Sequence, residues 1–223
     1  MILSIDTSSA FGSIAITERD RIVEEILLHS PDGFGHILFP QLEKLLARHG
    51  ATVNQMECFA AASGPGSFTG VRIGLAAVTG LAEAAGRRVV AVSNLRALAF
   101  FGKAPLRAAV LDARRGEVYG ALYNESLQPV ADEVVMKFPA WLKTLPESGF
   151  EFVSTDFSPF RSFVDPAIPV VSVPRALAGA IGCIAWREFD AGQARDPLEI
   201  DANYIRRPDA ESSANYIRSS GSP

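Results

Sequence analysis

One stretch limits the architecture of this chain more than any other: Ser63-Gly64-Pro65-Gly66-Ser67-Phe68-Thr69-Gly70-Val71-Arg72-Ile73-Gly74-Leu75. The apolar run Cys58-Phe59-Ala60-Ala61-Ala62 leads into it and predicts a buried strand, which Gly64-Pro65-Gly66 ends. Ser67 or Thr69 can cap the following helix by taking an orphan N–H, and Gly86 stops that helix after Ala85. The unit is strand, glycine loop, helix. Such a loop is a natural anion site, yet neither phosphate motif fits. Val71 stands where the P-loop requires Lys, and Gly64, Gly66 and Gly70 occupy relative positions one, three and seven rather than one, three and six. A structural turn is the plainer reading.

The helix is uncharged from Ile73 to Ala82, and Gly70, Gly74, Ala77 and Ala84 recur near one face. A helix apolar all round is buried all round, and the run is too short to span a bilayer. One side should face the core and the small-residue side another helix. The pattern leaves open whether that second helix belongs to the same core or to another subunit.

Gly64-Pro65-Gly66-Ser67-Phe68-Thr69-Gly70-Val71-Arg72-Ile73-Gly74-Leu75 is similar to the signature of the bacterial TsaB (YeaZ) family. The resemblance extends to Ile5-Asp6-Thr7-Ser8, His36-Ile37-Leu38-Phe39-Pro40, Asp112-Ala113-Arg114-Arg115-Gly116-Glu117-Val118-Tyr119 and Tyr204-Ile205-Arg206-Arg207-Pro208-Asp209-Ala210. It implies an α/β, actin-like ATPase fold (ASKHA, as in Hsp70 and sugar kinases) with two duplicated lobes. It also implies a non-catalytic scaffold that works with TsaD and TsaE in threonylcarbamoyl transfer to the adenosine beside the tRNA anticodon. By the same resemblance a partner face, for TsaD or in its absence for a second copy, would include His36, Phe39, Pro40, Gly66, Ser67, Phe68, Thr69, Gly70, Arg72, Ile73, Gly74 and Ala77. Asp6, Thr7 and Ser8 match the hairpin where relatives cradle nucleotide. From the residues alone they make a side-chain-capped turn. No cofactor is expected in the isolated chain, with ATP or ADP confined to a complex interface.

Composition bounds the alternatives. The 223 residues are 48% apolar and 21% charged, ordinary for a folded protein. A net charge of −4 argues against autonomous tRNA binding, which relies on Lys and Arg, so contact with tRNA is expected only through the complex. Cys58 and Cys183 both lie in apolar runs, and with Asp6 arriving too early for a signal peptide, a cytoplasmic protein without membrane contact is expected.

In chain order, Met1 to Ile5, Ser13 to Thr17 and Ile22 to Leu28 predict three antiparallel strands, and Phe34 to His49 a helix. A metal pair on that helix would need His at i and i+4, but His36 is followed by Pro40, so no metal site is expected. Asn94 to Phe101 predicts a short helix, and Gly102 to Pro105 a boundary between lobes at 1–103 and 104–210. Strands are predicted at Leu106 to Leu111, Glu117 to Tyr123, Val130 to Met136 and Phe150 to Ser154, and helices at Pro139 to Leu145 and Arg175 to Phe189. Asp112, Arg114 and Glu117 read either as a solvated hairpin tip or as acid-base groups. Ala202-Asn203-Tyr204-Ile205-Arg206 recurs as Ala214-Asn215-Tyr216-Ile217-Arg218. The second copy falls in an expected flexible tail, 211–223, and is expected to be dispensable.

The competing function is an actin-like ATPase or a glycoprotease-like peptidase. Either needs groups that the sequence does not assign: a Walker lysine, a close His and carboxylate set, or a Gly-x-Ser-x-Gly elbow around Ser67. No catalytic residue is expected.

Overall fold

The computed structural model describes residues 1–203 and 205. Tyr204, Arg206, the second copy of the repeat and the expected tail at 211–223 lie outside the described residues.

Two five-stranded sheets carry the same plan. In the first, β1 (Ile2–Asp6), β2 (Phe11–Glu18) and β3 (Arg21–His29) form an antiparallel meander. The strands β4 (Cys58–Gly64) and β5 (Arg88–Ser93) then add in parallel beside β1. In the second, β6 (Leu106–Arg114), β7 (Glu117–Asn124) and β8 (Val134–Lys137) repeat the meander, and β9 (Phe150–Ser154) and β10 (Val170–Ser172) repeat the parallel addition. Numbered within each lobe, both sheets read 3-2-1-4-5. This duplication is the actin-like architecture.

Helices α1 (Leu38–Arg48) and α2 (Phe68–Ala85) cover the outer face of the first sheet, packing on Leu3, Ile5, Ile14 and Phe59. On its inner face lie α3 (Asn94–Ala99) and α5 (Ala178–Asp190), sandwiched against the second sheet by Ile2, Val92, Ala121 and Val153. Helix α4 (Phe138–Leu142) and a 3-10 turn at Ser158–Phe163 close the far side with an aromatic cluster around Phe138, Phe152 and Phe160. The molecule is therefore five layers deep.

Several elements depart from expectation. Helix α1 begins at Leu38 rather than Phe34, which puts Pro40 in the first turn, where its missing N–H breaks no helical bond. Strand β10 was not foreseen between Pro169 and Pro174. Helix α5, assigned from sequence to the second lobe, instead lies across β1 and β2 of the first. Gly182 makes that possible, since a Cβ there would meet the Thr17 side chain at 2.6 Å. At 18 residues, α2 is also long and apolar enough to cross a membrane by length and composition, contrary to the sequence reading, although here one side of it is closed by the sheet.

Candidate functional site

The glycine loop and the β1–β2 turn are built as one piece. Ser67 N–H donates to the Ser8 carbonyl at 2.6 Å, and the Thr7 hydroxyl donates to the Gly70 carbonyl at 2.7 Å. Ser67 caps α2 by accepting from Gly70 N–H at 3.3 Å, and Gly86 ends the helix in the left-handed region at φ 61°. A Cβ at Gly66 would collide with the Ser8 carbonyl, one at Gly70 with the Thr7 carbonyl, and one at Gly74 would sit 2.7 Å from Thr7 Oγ1. Gly70, Gly74 and Ala77 are buried. For the two glycines, the need for a small residue comes from the chain's own hairpin.

Asp6, Thr7 and Ser8 are almost fully buried. Asp6 Oδ1 accepts from Ser8 N–H at 2.9 Å and from the Ser8 hydroxyl at 2.6 Å. The Asn94 amide donates to Ser8 Oγ at 2.8 Å, while Asn94 Oδ1 accepts from Gly64 N–H at 3.1 Å. Burial pushes the Asp6 carboxyl above its ordinary value, against the opposing pull of the Ser8 hydrogen bonds. Thr7 points toward α2, and the three residues form a side-chain-capped turn.

Between the lobes above this turn lies a cavity of about 500 Å³. Asp6, Ser8 and Asn94 line its floor, Pro65, Gly66 and Ser67 one wall, and Asp112, Ala113, Arg114, Tyr119, Asp156 and Arg175 the other. The opposite rim is itself a tight turn: Arg114, Arg115 and Gly116 all have positive φ, and Arg114 N–H donates to Asp112 Oδ1 at 2.8 Å. Asp112 and Arg114 thus act first on each other, with Arg114 Nη1 3.7 Å from Asp112 Oδ2. The Arg175 guanidinium lies over the Phe11 ring, 4.2 Å from its centroid. Sequence reasoning missed Asn94, Asp156 and Arg175, which reach the cleft from the start of α3 and from two separate loops. Among the described residues no group of three or more His, Cys, Asp and Glu is placed to hold a metal ion.

The other residues of interest sit on the outer layer. On α1, Phe39 is 51% exposed and Pro40 is exposed; on α2, Phe68 is 39% exposed, followed by exposed Thr69 and Arg72. Arg72 stacks on Phe68 with its guanidinium carbon 3.7 Å from the ring centroid. His36 is exposed and its Nε2 lies 3.4 Å from Ser30 Oγ. Ile73 is half-buried among the core residues beneath. The expected set therefore divides: Gly70, Gly74 and Ala77 face inward, while Phe39, Pro40, Phe68, Thr69 and Arg72 face out.

Comparison with known proteins gives matches in both sequence and fold. Residues 33–162 match the family model described as TsaD: tRNA N6-adenosine threonylcarbamoyltransferase. A Bacillus subtilis protein named tRNA threonylcarbamoyladenosine biosynthesis protein TsaB is 33% identical over 151 residues, 66% of each chain. The chain belongs to the TsaB (YeaZ) family. A Haemophilus influenzae TsaB is 37% identical over 122 residues, covering 53% of this chain and 51% of the relative. The matched stretches thus span one half to two thirds of these relatives' own lengths. A Pseudomonas aeruginosa structure described as similar to peptidase YeaZ superposes over 92% of this chain and 99% of its own, with a TM-score of 0.78 at 25% identity. The Pseudomonas aeruginosa YeaZ structure, at a TM-score of 0.76 and 24% identity, has the same fold.

Proposed function

We propose that this chain is a non-catalytic subunit in tRNA threonylcarbamoyladenosine biosynthesis, acting in the cytoplasm by holding a TsaD-type enzyme. A second copy of the chain, TsaE and, through the complex, tRNA are the further partners of this reading. The names of its relatives support the pathway. The single observation that carries the mechanism is the outer face of α1 and α2, where Phe39 and Phe68 expose aromatic surface and Arg72 caps one of the rings. Aromatic residues and Arg are enriched in protein interfaces, where a few residues buried by the partner carry most of the binding energy.

In this reading the two helices form a rigid platform. The glycine loop is anchored to the β1–β2 turn, so α2 cannot shift without breaking the Thr7 and Ser67 hydrogen bonds. A partner docking there meets a preformed surface, which lowers the ordering cost of association.

The test is co-purification with TsaD from the same cell. The chain should form a stable complex and restore tRNA modification, and Phe39→Glu with Phe68→Glu should abolish both while leaving the fold intact. ATP turnover by the stringently purified chain at about 1 per second or more, abolished by Asp6→Ala, would overturn the scaffold reading in favour of an enzyme.

A further inference from the structure

The pentapeptide Ala202-Asn203-Tyr204-Ile205-Arg206 is repeated without change twelve residues later, and the proposed function gives the second copy no role. Ala202, Asn203 and Ile205 of the first copy have a defined seat. Asn203 N–H donates to the Ser63 carbonyl at 2.7 Å, and the Asn203 amide donates to Glu133 Oε2 at 2.6 Å. Glu133 Oε1 in turn accepts from the Tyr123 hydroxyl at 2.6 Å and from the Ser93 hydroxyl. One carboxylate thus joins both lobes to the tail. Ala202 packs with the apolar cluster beneath α2, and Ile205 with the cluster around α5. The seat is bordered by a groove of about 730 Å³ that Val90, Ser93, Arg96 and Arg195 help to line, so open space rather than packed core lies beside the bound segment.

What the seat reads is a small residue, an amide and a branched aliphatic side chain at relative positions one, two and four, together with one backbone N–H. Ala214, Asn215 and Ile217 present the same groups at the same spacing. We propose that the second copy is the alternate occupant of the seat at Ser63 and Glu133 within the same chain. The two copies exchange by a register shift of twelve residues. The shift leaves residues 202–213 as a surface loop. Closing a loop of that length carries a modest entropic cost that rises only logarithmically with length. The seat offers either copy the same hydrogen bonds and the same apolar surfaces, so loop closure decides the balance and favours the first copy. The second copy fills the seat when the first is displaced, and the Ser63 carbonyl and Glu133 regain their partner.

Proline at the seat is the probe, because it removes both the N–H and the side-chain amide. Asn215→Pro alone, or truncation after Glu211, should leave the melting temperature unchanged, since the first copy holds the seat. Asn203→Pro should melt measurably above the double variant Asn203→Pro/Asn215→Pro, and in the single variant the Asn215 amide should gain protection from hydrogen exchange. Equal melting temperatures for Asn203→Pro and the double variant would overturn the proposal, whether both are lowered or neither is. Rescue that depends on protein concentration and accompanies dimer formation would also overturn it, because the second copy would then be seated in a neighbouring molecule.

Discussion

Gly70 and Gly80 lie on the same helix and predict opposite outcomes on substitution. A methyl at position 70 has no room beside the Thr7 carbonyl, whereas at position 80 nothing lies within 4 Å. Gly70→Ala should cost about 1–3 kcal/mol through overpacking, and Gly80→Ala should gain about 0.5–1 kcal/mol through helix propensity. Thermal melting of the two variants checks both signs. Gly74→Ala belongs with Gly70→Ala, since its Cβ would press on Thr7 Oγ1 at 2.7 Å. Asp6 gives a pH prediction. Its folded-state pKa is raised by burial above the ordinary 3.8, so the native state binds the proton more tightly than the unfolded state does. Stability from this group is greatest in acid and falls as pH rises from about 4 through the folded value. Asn at position 6 can still accept from Ser8 but does not ionise. The stability of Asp6→Asn relative to the native protein should therefore increase with pH across that window, as measured by denaturant unfolding at a series of pH values. Glu25 is also raised by burial, so the difference between the two proteins is the quantity to read, not either curve alone.

Helix α2 shows what a sequence pattern can and cannot say about an element. Its limits were legible, because Ser67 and Gly86 are position-specific signals with a mechanism. Its orientation was not. The run from Ile73 to Ala82 is apolar on both sides, so periodicity could not tell the sheet-facing side from the outer one; of the small residues that suggested an outward contact, Gly70 and Gly74 fit against the hairpin, whereas Ala84 is exposed. Strand β10 was lost for a different reason: a three-residue strand among the four residues between Pro169 and Pro174 is too short a run for alternation to register. In the cleft, the turn at Asp6 to Ser8 could be picked out as a local cluster, but Asn94 and Arg175 become neighbours only through the parallel crossovers. At this scale the partner face is separable from the fold. Thr69→Glu and Arg72→Glu change only exposed positions of α2 and should leave melting within about 1 °C to 2 °C, as surface substitutions typically do. If that face meets TsaD, they should weaken the complex about tenfold or more, measurable by calorimetry.

Across the whole molecule, α5 decides how the two lobes depend on each other. The sequence marks it as an apolar, compact helix, but helices buried on every side carry no label for the sheet they cover. Its position between the sheets makes the central apolar cluster common property: Ile181, Ile184 and Trp186 of α5 share it with Ile2 and Val92 of one sheet and Val153 of the other. A fragment ending at residue 103 would keep the strands and helices of the first lobe but lose α5, uncovering the part of the sheet's inner face that α3 does not reach. Expressed alone, it should bind a hydrophobic dye and lack near-ultraviolet circular dichroism, the signature of lost tertiary packing. The intact chain should melt in one transition, and Ile184→Ala should lower that transition by an amount corresponding to about 2–5 kcal/mol without splitting it in two. Calorimetry distinguishes one peak from two.

The division of labour along α2 has a consequence for how such proteins diversify. Gly70 and Gly74 answer to Thr7, and their identity is dictated from inside the chain. Thr69, Arg72, Ala76 and Gly80, interleaved with them, are exposed and follow the opposite side of the same cylinder. A single helix thus carries two independent texts, one readable only by the fold and one only by the outside world. Substitutions can rewrite the second without corrupting the first, so the surface can acquire a new correspondent while the inner lettering, by which kinship is recognised, stays as it was.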